Sequence, residues 1–173
     1  MKLGILLLSL SFAAFAETAP VIPQKLLEHH LAMCPDFGSD YGKYFSREKF
    51  TLPKAEHSAS IKTLYVLGCE MYAYNSREKA YIIDEQGVVT DVYVAEIDYQ
   101  GTLTATSDLM GSGYDDATKT LGTFQLGRGI GDCGAASLYL YSPEDEKFIL
   151  KEARIKNNCD GDAESEWPVV YPK

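Results

Sequence analysis

Residues 124–141 read FQLGRGIGDCGAASLYLY, and within them Gly129, Gly131 and Gly134 repeat the G-x-G-x-x-G spacing of a dinucleotide-binding turn. That chemistry needs a strand before the glycines and a helix after them, whose N-terminus receives the pyrophosphate. Here the following residues, ASLYLYS, are strand formers, and the Gly-Lys-Ser/Thr of a P-loop is missing. The glycines are therefore expected to turn the chain at a corner, and no cofactor is expected.

Other residues also have chemical potential. A hydrolytic triad sets a histidine beside a nucleophile. All three histidines, His29, His30 and His57, fall in the N-terminal part of the chain. Adjacent helical residues point to different faces, so His29 and His30 read as surface side chains rather than as a metal pair. Four cysteines, Cys34, Cys69, Cys133 and Cys159, lack the C-x-x-C spacing of a zinc or redox site. Asp108, Asp115, Asp116 and Asp132 are candidates for a hydrolase carboxylate pair, but turns recruit Asp as well. CDGDAESE, residues 159–166, lacks the spacing of an EF-hand and reads as a solvated acidic loop. No catalytic residue and no metal ligand is assigned. Tyr72 and Tyr74 in YAY, and Tyr139 and Tyr141 in YLY, either offer a stacking face or pack a small β domain. Packing is the preferred reading, since tyrosine is ordinary in sheets.

The elements that would position these residues are mostly strands. PQKLLEHHLAMC, residues 23–34, is the one clear helix, with Leu26, Leu27, Leu31 and Met33 as its apolar face. KYFSREKFTL holds a short extended piece. From Ile61 onward, IKTLYVLG, CEMYAYN, KAYIID and VVTDVYVAEI are β-branched and aromatic, and Gly87 of DEQG suits the left-handed position of a hairpin loop. GTLTATSDLM is another strand, and YDDATKTLGTFQLG turns at Asp115-Asp116 into a further one. ASLYLYSPEDEKFILKEARI is a hairpin around SPEDE. KTLYVLG before Cys69 and KTLGTFQLG before Cys133 echo each other, as two copies of an antiparallel meander would. The expected fold is mainly β: a small antiparallel domain over residues 17–173, strand-rich from about 61 to 171, built as a meander, propeller-like or barrel-like, with one short N-terminal helix and two disulfides.

Hairpin counting proposes the pairing. A turn centred near residues 144–145 sets Cys133 opposite a residue a few places short of Cys159, and a small bulge or fray closes the gap. Of the three pairings that four cysteines allow, Cys133–Cys159 with Cys34–Cys69 is expected.

MKLGILLLSLSFAAFAE carries one Lys, an apolar run and an A-x-A site, the pattern of a signal peptide over residues 1–16 with cleavage near Ala16. The run is too short for a membrane span of about 20 residues, so a periplasmic or secreted chain with no membrane span is expected. The formal charge of −9 repels nucleic acid and anionic membrane faces and attracts cationic partners.

LGTFQLGRGIGDCGAASLYLY, then EKFILKEARI, a late Cys and EWPVVY, resembles the C-terminal half of the bacterial proteins grouped as domain of unknown function 1176. LGCEMYAYNSREKAYIIDEQG is similar to an earlier segment of the same family. The resemblance spans roughly residues 61–171 and implies an exported, disulfide-bonded bacterial protein, with no catalytic residues to carry over. Family members carry a further N-terminal half that this stretch does not match.

These readings converge on an exported, non-enzymatic binding protein, an inhibitor or neutraliser of a cationic periplasmic hydrolase such as a lysozyme-like enzyme. The alternatives are a glycan- or cell-envelope-binding module using its tyrosines and, third, a carboxylate-based hydrolase. Arg128 and Asp132 at the glycine corner are the expected partner contacts, since rigidly held loops carry function. The alternative for the same two residues is an internal pair that only braces the corner, and that reading is preferred.

Overall fold

The computed structural model describes residues 19–58, 60–97 and 102–172. The expected signal peptide, residues 1–16, lies outside them. Helix α1 (Gln24–Met33) starts after Pro23, whose extended ψ and missing N–H suit a helix entrance. Leu26 and His30, one turn apart, are fully buried on its inner face. The Cys34 N–H closes the last turn on the His30 carbonyl at 2.8 Å. Two short 3₁₀ turns, Pro35–Gly38 and Gly42–Tyr44, lead to the sheets.

The first sheet is an antiparallel meander of β1 (Arg47–Thr51), β2 (Thr63–Met71), β3 (Ser76–Ile83) and β4 (Val89–Asp91), in that order. β5 (Val94–Ile97) and β6 (Leu103–Thr106) form a separate ribbon, and β7 (Leu109–Met110) joins the free end of β3. The second sheet holds β8 (Gly113–Asp115), β9 (Thr120–Leu126), β10 (Gly134–Ser142), β11 (Lys147–Lys156) and β12 (Val169–Tyr171), ordered β12-β11-β10-β9-β8. The turns expected from sequence form, that of SPEDE between β10 and β11 among them. Gly87 has φ +76° and the Asp84 carboxylate accepts the Gln86 and Val88 N–H groups. Asp115 likewise accepts from the Ala117 N–H at 2.8 Å.

Strand alternation builds the core. Leu64, Val66, Ala80 and Ile82 of the first sheet meet Leu121, Tyr139, Tyr141, Phe148 and Leu150 of the second in one cluster. Leu138 and Leu140, the intervening residues of β10, face outward. The other face of the first sheet is covered by α1 and the 3₁₀ turns, where Leu26, Phe37 and Phe45 pack on Tyr65, Leu67 and Tyr81. The fold is therefore mainly β, with one α-helix among the described residues and two disulfides. The meander is realised and the barrel is not: both sheets stay open and share one core. The echo before Cys69 and Cys133 corresponds to β2 and β9, although Cys69 lies within its strand and Cys133 just before the next.

Both expected disulfides form, Cys34–Cys69 and Cys133–Cys159. Gly134 pairs with Lys156, and a bulge lies beyond Leu138, where Leu138 faces Glu152 and Tyr139 faces Leu150. That register leaves residue 157 across from Cys133, two places before Cys159.

Candidate functional site

Two connections that are far apart in sequence meet at one end of the molecule. The β2–β3 turn, Tyr72–Asn75, is closed by the Tyr72 N–H on the Asn75 carbonyl at 2.7 Å. The β9–β10 loop runs from Gly127 to Cys133 and is closed by the Gly127 N–H on the Cys133 carbonyl at 2.8 Å. Asn75 locks the two together. Its amide donates to the Leu126 carbonyl at 3.0 Å and accepts from the Leu126 N–H at 2.7 Å, as a neighbouring strand would.

The glycine-rich stretch turns the chain between two strands, and β10 occupies the place a phosphate-binding helix would need. Two of its glycines answer definite demands. Gly131 has φ +72°, a conformation that costs L-residues. Gly129 lies under Tyr74, where a Cβ would stand 2.6 Å from the ring.

Arg128 and Asp132 are placed as a brace. Asp132 is fully buried. Its carboxylate accepts the Arg128 Nε–H at 2.7 Å and the Gly161 N–H at 2.6 Å, and Arg128 Nη2 closes a second bond to it. The same Nη2 donates to the Cys159 carbonyl at 3.0 Å. This bidentate arrangement holds the Asp132 carboxyl well below the usual range. The internal pair preferred for these two residues is the arrangement present, and a buried carboxylate with these donors offers no surface of its own. Arg128 is partly exposed, but its guanidinium is committed to the loop's own groups.

The segment after β11 is strapped across the same end. Lys156 donates to the Asp162 carbonyl at 2.7 Å and pairs with Asp160 at 3.0 Å. Asp162 in turn accepts the Glu164 and Ser165 N–H groups, so the acidic loop caps itself. Trp167 stacks on Phe124 with ring centroids 5.0 Å apart.

The two tyrosine pairs part company. Tyr139 and Tyr141 are core residues, as packing requires. Tyr72 and Tyr74 are 50% and 59% exposed, because YAY turns the chain instead of continuing the strand. With Met71, Gly111, Phe124 and Leu126 they line an open groove of about 390 Å³. The preference for packing is corrected for this pair. The groove itself was missed, since its walls come from segments some 50 residues apart.

The histidines are also corrected in one respect. His29 is at the surface and meets Asp91 at 3.1 Å. His30 is fully buried: Nε2 faces the Gly68 carbonyl at 3.0 Å and Nδ1 faces the Tyr81 hydroxyl at 2.7 Å. Those partners suit a neutral ring that donates from Nε2 and accepts at Nδ1. Burial lowers its pKa to about 4. The carboxylates considered for hydrolysis are each committed elsewhere, Asp108 to Arg77 and Lys79, Asp115 to its own turn, Asp116 to Lys119.

An uncharacterised protein of Escherichia coli K12, YpfG, is similar to this chain, 26% identical over 113 residues. The match covers 64% of this chain and 32% of that protein, so the chain spans about a third of the length of the curated relative it matches. No solved structure matches. The family described as "Protein of unknown function (DUF1176)" matches residues 14–173, reaching past the strand-rich stretch into the N-terminal helix. The chain belongs to that family.

Proposed function

We propose that this is an exported, non-enzymatic binding protein whose partner is a cationic protein of the cell envelope, such as a lysozyme-like hydrolase. The observation that supports the reading is a braced corner with exposed aromatic side chains on a body of formal charge −9. Rigid loops carry recognition at little entropic cost, and opposite charge speeds encounter. Two disulfides agree with an oxidising compartment outside the cytoplasm.

The test is a pull-down from envelope extract, with an inhibition assay on a panel of basic peptidoglycan hydrolases. Binding that weakens as salt rises, mainly through a slower on-rate, is the expected result. Failure to bind or inhibit any basic protein overturns the reading. The exposure of Tyr72 and Tyr74 favours a second reading, a glycan-binding module, and retention on insoluble peptidoglycan without salt dependence would select it.

A further inference from the structure

We infer that the groove between the β2–β3 turn and the outer face of β9 is an aromatic clip for an arginine or lysine side chain of that cationic partner. The inference rests on the reading of a cationic partner and assigns it a site. Tyr72, Tyr74 and Phe124 present exposed rings around one open space, and the faces of such rings attract a guanidinium or ammonium group. Phe124 spends one face on Trp167, which fixes the ring without covering the groove.

Ring faces on an acidic body select the occupant. Glu70 and Asp108, 40% and 47% exposed, lie at the β2–β3 end, and Glu70 accepts a hydrogen bond from the Tyr72 hydroxyl. Asp160 and Glu166, 39% and 82% exposed, lie on the strap that carries Trp167. The carboxylates and the neighbouring cations are engaged with one another: Glu70 and Asp108 with Arg77, Asp108 also with Lys79, Asp160 with Lys156, Glu152 and Glu166 with Arg154, Asp132 with Arg128. An incoming cation therefore meets π faces in a surround where carboxylates only slightly outnumber cations, on a body of formal charge −9. The walls are set in advance, because Asn75 fixes the turn on β9 and Tyr74 rests on Gly129.

Trp167 is the sole tryptophan, so its fluorescence reports on the groove through Phe124. The probes are a tryptophan-free arginine octapeptide, the matching citrulline octapeptide and chitotetraose. A basic lysozyme is titrated separately by calorimetry. The arginine peptide is expected to shift the emission saturably and the citrulline peptide to leave it unchanged. Tyr74→Leu and Tyr72→Leu, checked for folding by circular dichroism, each keep apolar area but lose the π face, and should weaken binding about fivefold.

Equal affinity in folded Tyr74→Leu and Tyr72→Leu variants overturns the clip. A response to chitotetraose in place of the arginine peptide assigns the groove to sugar and overturns it too. Lysozyme bound equally by wild type and both variants removes the groove while the cationic-partner reading stands. If no basic probe binds, that reading falls with it.

Discussion

The Cys34–Cys69 bridge closes over an apolar cluster with a buried neutral histidine, whereas the Cys133–Cys159 bridge closes beside a buried carboxylate held by a partly exposed arginine. Sequence separations of 35 and 26 give nearly equal constraint of the unfolded chain, about 3.8 and 3.5 kcal/mol in the chain-entropy picture. The difference lies in what each bridge positions. The first ties α1 onto a sheet and is itself core. The second ties a loop to a strap and leaves Tyr72, Tyr74 and Phe124 beside it exposed. One covalent device thus serves packing at one end and presentation at the other.

Removing either bridge by a double Cys→Ala change tests that contrast most severely. Each is expected to lower stability by about 3–4 kcal/mol by chemical denaturation. Under graded dithiothreitol, peptide mapping should find Cys133–Cys159 opened first, since Cys159 is exposed while Cys34 and Cys69 are 1% and 0% exposed. Opening of the buried bridge first would reverse the comparison.

Acid acts on the helix end through His30. Its folded pKa of about 4 lies below the unfolded value of 6.5. Between those values the unfolded chain binds the proton and the folded chain does not, so stability rises with pH. The contribution is complete above pH 6.5 and is lost as pH falls toward 4, about 3 kcal/mol in all. His30→Gln, which keeps a donor and an acceptor, should flatten that part of the pH–stability curve. An unchanged curve would show that His30 does not titrate with folding.

At the other end, Asn75→Ala removes two hydrogen bonds between the turn and β9 and should cost about 2 kcal/mol. Amide exchange should quicken at Leu126 while α1 keeps its protection. The smallest effect is expected from Gly131→Ala, about 1 kcal/mol, because the positive φ is strained and the one tight contact of a new Cβ, 3.3 Å from Leu126 Cδ2, is with the end of a flexible side chain. Calorimetric titration with NAD or ATP should show no binding in either form. Saturable binding lost in the variant would restore the phosphate reading of the glycines.

Much of the fold was legible because its cues are local. The SPEDE hairpin could be counted outward from its turn, and that counting led to Cys133–Cys159, with the bulge after Leu138 taking up part of the offset. Gly87 and Asp115 marked their turns by conformational and hydrogen-bonding needs that do not depend on distant residues. His30 carried a usable signal, its i, i+4 spacing from Leu26, but a polar residue on an apolar stripe reads as surface until its partners are known.

Residue types and periodicity by themselves determined a mainly antiparallel β chain, one helix after Pro23 and an acidic charge, and they favoured one of the three disulfide pairings, the one that forms. Only the tertiary structure decided which of two Y-x-Y pairs is core and which is surface, that Asp132 lies beneath Arg128, and that Asn75 joins two remote connections. The reason is physical. Strand alternation and turn chemistry act over a few residues, whereas burial and the satisfaction of a buried polar group depend on partners that the chain supplies from far away. His30 waits for Gly68 and Tyr81, and Asn75 for Leu126.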